Sequence, residues 1–290
     1  MCTIVTKTER GNLREVKLGT SSAATWPTGI LRLLDEVRAD VDQLLSGGRI
    51  ERATDLFNNT GLQFDSAHNP MYFTGAFESP IVLVHLNPKL SKLLAEYPYT
   101  DFDDYCVKHR AFGFLHWGLD DSYRSQFDLK QVRFLRPFNV IDFVPETEVG
   151  HERTNAAMAI DKKLQLELIP YASPTFETAK FSNSILAPHF ARILAAIVAY
   201  PRKYVVFCGA VFDDLLERSG ILTSRTDHRF HLPTKNGSSK NEYQFSKVNF
   251  SYEGMKVEAG IARSFAIQGI PMGAYGTACS ELYGIDKTLR

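Results

Sequence analysis

The chain has 290 residues, 44% apolar and 23% charged, and its basic and acidic side chains balance to a net charge of zero. It is long enough to bury a substantial core, and its composition is that of an ordinary globular protein. Zero net charge excludes a global attraction to nucleic acid, so any such binding must rest on a local patch. No apolar run approaches the roughly 18 residues that a membrane span needs. The four cysteines (Cys2, Cys106, Cys208, Cys279) lie far apart with no CxxC pair. That argues against a zinc ribbon, a locally held iron–sulfur cluster and a disulfide framework. With no signal-like apolar region at the start, a reduced, cytoplasmic setting is expected.

In chain order, residues 1–25 are polar and Ser/Thr-rich and read as a loosely held arm. The spacing of Ile30, Leu34, Val37, Val41 and Leu44 predicts an amphipathic helix that stops at Gly47-Gly48. The run Ile81-Val-Leu-Val-His-Leu-Asn-Pro88 reads as a buried parallel strand. It breaks at polar Asn87 and rigid Pro88, and Ser91 is placed to cap a following helix. Ligands of open α/β sheets collect outside the carboxyl ends of strands, which puts Asn87 where chemistry usually happens. An acidic and aromatic stretch, Tyr97–Tyr105, comes next, then Phe112, Phe114 and Trp117.

Arg136–Val144 suits an accessory strand beginning near Pro137. A second buried strand is expected over Leu164–Ser173. An apolar helix over Ile185–Ala199 leads through Pro201 into the strand Tyr204–Cys208, which Gly209 breaks before a helix over Val211–Arg218. A last strand falls within Met255–Phe265, followed by the turn Gly269–Gly276 and a short helix. Strands alternating with helices imply a mostly parallel sheet covered on both faces. The division expected is an N-terminal arm and helix over 1–75 that packs on the main domain, and a main α/β domain over 76–290.

Val84-His-Leu-Asn-Pro88 with Ser91 resembles the first motif of the mismatch-specific and thymine-type uracil-DNA glycosylases, where a strand ends in Gly-Ile-Asn-Pro-Gly. Leu186-Ala-Pro-His189 through Pro201, then Tyr204–Gly209 with Phe212 and Leu215-Leu216, resembles the third helix, strand and following helix of that superfamily. The likeness runs in order over roughly residues 80–285. It implies a three-layer α/β/α sandwich around a four-stranded, mostly parallel sheet. It also implies a DNA glycosylase with no metal or organic cofactor, acting as a monomer on DNA with a flipped base or on single-stranded DNA. The chain departs from the family at Lys89, which replaces a glycine. It also lacks a His-Pro-Ser motif after the last strand, where Arg263-Ser-Phe-Ala stands.

Excising a base requires flipping the nucleotide out, stacking its face, holding its polar edge and positioning a water. Asn87 is the candidate for water or transition-state positioning; as a neutral amide it is no general base. Asp101 is the nearest carboxylate candidate, within an acidic loop that otherwise reads as solvated. Phe112 or Phe114 would stack the base, while Tyr171 and Ser173 would read its edge or a phosphate. His85, Pro88 and Ser264 complete the expected substrate-binding set, although a histidine within a strand also suits simple packing in the sheet.

Ser224–Phe250 carries five Lys/Arg against two acids, with Phe230, Tyr243 and Phe245 interleaved. It reads either as a mobile insertion that attracts nucleic acid and widens the pocket or as a solvated hairpin. On the first reading Arg225, Arg229, Lys235 and Lys240, with Ser91, bind the DNA backbone, and Ile270 or Met272 wedges into the duplex. A widened pocket points to a base bulkier than uracil, such as modified cytosine in foreign or phage DNA. Two rivals stay open: a catalytically silent nucleic-acid binder of the same fold, and an α/β enzyme acting on a small nucleotide or sugar with its crevice at Gly209. The absence of Walker A and GxGxxG fingerprints disfavours common triphosphate and dinucleotide uses.

Overall fold

The computed structural model describes residues 2–7, 13–18, 26–89, 99–233 and 240–284. The N-terminal segment, expected as a loose arm, forms two antiparallel strands, β1 (Cys2–Lys7) and β2 (Leu13–Leu18). The β-branched run Thr3-Ile-Val-Thr6 favours that conformation.

Helix α1 (Thr28–Gly47) buries Ile30, Leu33, Leu34, Val37 and Val41 and ends at Gly48, whose left-handed backbone returns its N–H to the Leu44 carbonyl. Next come α2 (Glu51–Thr60), β3 (Phe73–Gly75) and β4 (Ile81–His85). The helix expected after Ser91, and Ser91 itself, lie outside the described residues. Helix α3 (Phe102–Arg110) leads into a π-helical segment, Phe114–Leu119, and then α4 (Gln126–Leu135), which Ser125 caps.

Arg136–Val144 is not a strand. Pro137 sits in a 3-10 turn, Arg136–Phe138, that tightens the end of α4, and left-handed Asn139 closes it. Helix α5 (His151–Lys162) runs directly into β5, which is shorter than expected, Leu164–Glu167. Beyond it the chain still leans on β4, with Leu168 and Ile169 donating to the carbonyls of His85 and Leu86. The remaining elements are α6 (Asn183–Val198), β6 (Tyr204–Cys208), α7 (Val211–Arg218), β7 (Leu222–Pro233), β8 (Lys240–Tyr252), β9 (Met255–Ala262) and α8 (Met272–Glu281).

The fold is mixed α/β around one seven-stranded mixed sheet in the order β3-β5-β4-β6-β9-β8-β7. Strands β5, β4, β6 and β9 run parallel to one another, and β3, β8 and β7 join antiparallel. The sheet is thus seven-stranded and mixed, where a four-stranded, mostly parallel one was expected. Alternate residues of each central strand enter different cores. Val82, Val84, Val205 and Phe207 pack with α1, α6 and α7, whereas Ile81, Leu83, Val206 and Cys208 pack with α4, α5 and α8. Burial on both faces explains why these strands read as continuous apolar runs.

Helix α1 and strand β3, both N-terminal to residue 76, contribute to the same apolar cluster as β4. Ser224–Phe250 is not an insertion beside the sheet. It is the β7–β8 hairpin that prolongs the sheet, with Tyr243, Phe245 and Phe250 buried.

Candidate active site

Asn87 follows the carboxyl end of β4 on a turn made rigid by Pro88. Its Nδ2 donates to Ser173 Oγ at 2.7 Å and to the Pro88 carbonyl at 3.0 Å. Ser173 is itself fixed, donating through Oγ to the Thr175 carbonyl at 2.6 Å and through its N–H to the Pro88 carbonyl. With the amide nitrogen committed, Asn87 has its carbonyl oxygen left to offer, and the residue lines a cavity of about 750 Å³.

One wall of this cavity is aromatic. Phe112 lies at the break between α3 and the π-helical segment, its ring 4.0 Å from that of His116 between centroids. The break is pinned from α5: Asp161 accepts from the Gly113 N–H at 2.6 Å and the Phe114 N–H at 2.9 Å. A side chain at position 113 would come within 2.3 Å of the Ala157 carbonyl, so only glycine allows this approach. Burial nevertheless pushes the Asp161 carboxyl up to about 6. The cavity also receives Tyr123 from the turn before α4, Phe127 and Asp128 from the start of α4, and Phe265 from the turn after β9. Asp128 is held in place, accepting from Trp117 Nε1 at 2.8 Å and the Tyr123 hydroxyl at 3.2 Å.

The opposite wall is the polar face of β3 and β5. Thr74 pairs with Gln165 across the two strands, and Glu167 lies two residues on, so all three project to the cavity side. Gln165 Nε2 donates to Glu167 Oε1 at 2.6 Å. Glu167 Oε2 and Thr74 Oγ1 are buried with no partner among the described residues, and so is Nζ of neighbouring Lys163. Burial pushes the Glu167 carboxyl up to about 8 against the pull of Gln165 and Lys163, and pushes the Lys163 ammonium down to about 8. The glutamate is therefore protonated at neutral pH. Burial also lowers His85 to about 3 and His116 to about 4, which leaves both imidazoles neutral.

Of the residues expected at the site, Asn87, Pro88 and Phe112 line this cavity. Ser173 adjoins it as the partner that holds Asn87. Phe114 is turned along the π-helix against Gly118, leaving Phe112 as the cavity aromatic. His85 is buried between the rings of Phe127 and Phe265 behind the cavity wall. Tyr171 is a correction: its side chain enters the other core, where its hydroxyl donates to Asp40 at 2.8 Å. Asp101 does not line this cavity; it is the N-cap of α3, accepting from the Asp104 N–H. Ser264 closes a local turn, accepting from the Ala266 N–H, while Phe265 beside it reaches the cavity.

The expected DNA-binding residues do not gather at the cavity. Arg225 pairs with Asp213 and Asp227, Arg229 pairs with Glu242, and Lys240 is exposed on β8. Lys235 lies outside the described residues. Four strand spacings of about 4.8 Å separate β7 from β4, roughly 19 Å, so the hairpin does not wall the pocket. Ile270 and Met272 are buried in the core under α8 rather than exposed as wedges, because Pro271 opens a helix there. The cationic residues that line the cavity are instead Lys89 and Arg124, both exposed, and Lys130, whose Nζ donates to the Phe265 and Ile267 carbonyls.

Thr74, His116, Gln165 and Glu167 escaped the sequence reading. The signal for two of them was present: Leu164-Gln-Leu-Glu-Leu168 places polar residues at alternate positions of a strand buried on both faces. Such a pattern marks either a solvated face or a site.

The chain matches no known protein family and no curated protein at a significant level. Among the described residues no helix is long and apolar enough to cross a membrane, and no group of three or more His, Cys, Asp or Glu side chains is disposed to hold a metal ion.

Proposed function

We propose that the chain is a DNA glycosylase with a three-layer α/β/α sandwich of the uracil-DNA glycosylase type, hydrolysing the N-glycosidic bond of a modified pyrimidine bulkier than uracil. One observation carries the reading: Asn87, at the carboxyl rim of β4, shares a cavity of about 750 Å³ with the Phe112 ring and a polar wall of Thr74, Gln165 and Glu167. That volume falls within the range of small-molecule pockets, roughly 300–1,000 Å³, and exceeds what one unmodified pyrimidine ring fills. The parallel order β5-β4-β6-β9 and the helices on both faces support the fold assignment.

In this reading the extruded nucleotide enters at the mouth, where Lys89 and Arg124 meet its phosphates. Phe112 stacks on the base, a contact worth about 1–3 kcal/mol. The Asn87 carbonyl orients a water towards C1′ and faces the positive charge that develops on the sugar as the bond breaks. The polar wall meets the edge of the base. Modified cytosine in foreign or phage DNA fits the size and polarity of the cavity.

A second reading, an enzyme acting on a small nucleotide or sugar in the same cavity, is favoured by the pairing of the hairpin arginines, which weakens attraction to a long polyanion. One experiment separates the two. The protein is incubated with duplex and single-stranded oligonucleotides carrying uracil, hydroxymethylcytosine or glucosylated cytosine, and alkali-labile abasic sites are scored. Abasic product from a modified cytosine, reduced on the order of 100-fold in Asn87→Ala, is the expected result. Salt-dependent DNA binding without product would indicate a silent binder, and neither product nor binding would favour the small-molecule enzyme.

A further inference from the structure

The proposed reaction has a leaving group, and the loop that carries the family's histidine motif offers none here: Arg263-Ser-Phe-Ala brings Phe265 and Ala266 to the cavity but no titratable side chain. Hydrogen-bonding capacity is instead concentrated on β5. Glu167 is 2% exposed, lines the cavity and has one carboxyl oxygen, Oε1, taken by Gln165. The other, Oε2, is buried without a partner among the described residues, as is Thr74 Oγ1 beside it. An unpartnered carboxyl oxygen in a protein interior costs free energy, and this residue borders a cavity where a ligand group can meet it.

We infer that Glu167 is the proton donor to the departing base, acting through Oε2, and that its substrate is an amino-pyrimidine of the cytosine type. The inference rests on the glycosylase reading above.

The base class follows from hydrogen-bond polarity. Protonated Glu167 presents one O–H at Oε2. Cytosine offers a ring nitrogen, N3, with a free lone pair, and beside it an exocyclic amine that Gln165 Oε1 or Thr74 Oγ1 can accept. Uracil and thymine carry a hydrogen on N3, which would confront the carboxyl O–H. The chemistry points the same way. An amino-pyrimidine leaves poorly as an anion, so protonation at N3 helps it most.

The step balances without a co-reactant. The C1′–N1 bond breaks with its electron pair going to the base, and the Glu167 proton passes to N3. Water adds to C1′ and its proton returns to the glutamate carboxylate or to solvent. The polar groups around Glu167 pull against the donor state, since the Gln165 amide and the Lys163 ammonium both favour the carboxylate. Lys163 acts on it directly, Asp128, Asp161 and Cys208 act on Lys163, and His85 is held neutral. Burial outweighs them and keeps the carboxyl protonated through neutral pH.

The test compares wild type with Glu167→Gln in single-turnover excision from pH 5 to 9. Two DNAs are used, one carrying 5-hydroxymethylcytosine and one carrying 5-formylcytosine, whose electron-withdrawing substituent lets the base leave with less help. We expect the wild-type rate on hydroxymethylcytosine to fall as pH rises through about 8. Glu167→Gln should lose about 10²- to 10⁴-fold on that substrate and show no alkaline limb. Its loss on formylcytosine should be at least tenfold smaller. Equal loss on both substrates, or an alkaline limb that survives in the variant, would overturn the role. Thermal unfolding at pH 5, where both side chains are neutral, checks that the variant is folded.

If wild type excises no base from any DNA, the glycosylase reading falls, and the base-class inference is decided by calorimetry with 1-methylcytosine and 1-methyluracil. Preference for 1-methylcytosine that disappears in Glu167→Gln sustains Glu167 as the reader of that edge. Equal binding of the two probes removes it.

Discussion

Two buried polar clusters lie on opposite faces of the same sheet, and they are built to different ends. On the α1 side, Asp40 Oδ2 accepts from the Tyr72 hydroxyl at 2.5 Å and the Tyr171 hydroxyl at 2.8 Å. Arg52 Nη2 stands 2.8 Å from Oδ1, close enough for an ion pair though its N–H bonds aim off the line. Arg192 completes this side with its guanidinium 4.8 Å from the Tyr72 ring centroid, donating to Glu36 and to the carbonyls of Glu167 and Leu168. On the α4 side, Glu167, Thr74 and Lys163 each keep a polar atom without a partner among the described residues, and the first two line the cavity. The clusters meet back to back at Glu167, whose backbone is gripped by Arg192 while its side chain emerges on the other face. Both sides keep orphan atoms, Asp40 Oδ1 and Arg192 Nε on the first, so what sets the Glu167 side apart is that its unpartnered atoms adjoin a cavity that a ligand can fill.

The sharpest break in this comparison is Asp40→Ala. It strips two tyrosine hydroxyls and an arginine of their shared acceptor inside protein, so a loss of about 3–5 kcal/mol is expected from urea unfolding. The result that contradicts a structural role is a change below about 1 kcal/mol, the usual range of a surface substitution.

The same contrast shows what could be read from residues alone. Strands β4 and β6 and helices α1, α6 and α7 were legible because apolar runs of the right length stop at Gly48, Asn87-Pro88 and Gly209. Arg136–Val144 was misread because Pro137 suits the start of a strand as well as a tight turn, and only the approach of α4 selects the turn. The β7–β8 hairpin was misread because its basic and aromatic residues alternate. The aromatic positions of β8 face the cores, and the arginines find acids on Asp213, Asp227 and Glu242 that no local pattern announces.

At the site, Asn87 and Phe112 were visible, the first as a polar strand end and the second from its place after a helix. Strict alternation would have kept Tyr171, four residues on, with Glu167; β5 ends at Glu167, and past it Leu168, Ile169 and Tyr171 all enter the core that holds Asp40. Glu167 itself lay hidden in a run scanned for its end rather than for its two faces.

A smaller effect comes from ionisation at the cavity. In the folded chain Glu167 stays neutral up to about pH 8, whereas its ordinary value is 4.5. Between those values the unfolded chain gives up a proton that the folded chain retains, so wild-type stability falls as pH rises across that window. Glu167→Gln removes the titration. It should match wild type near pH 5 and exceed it on the order of 3 kcal/mol by pH 8, as measured by paired denaturant titrations. A constant difference across that range would mean the carboxyl ionises normally.

The smallest effect tests whether the open wall carries a stability cost. Val is close in shape to Thr but lacks the hydroxyl, so Thr74→Val removes the buried Oγ1 that has no described partner. Removing an unsatisfied buried polar group is expected to stabilise the chain by about 1 kcal/mol in urea unfolding. The same variant should bind 1-methylcytosine more weakly than wild type, because the hydroxyl is one of the acceptors offered to the exocyclic amine. A stabilised variant with weakened binding puts the cost of the open polar wall in the service of the ligand. A destabilised variant would mean that Thr74 is bonded within the fold and belongs with Asp40, on the structural side of the comparison.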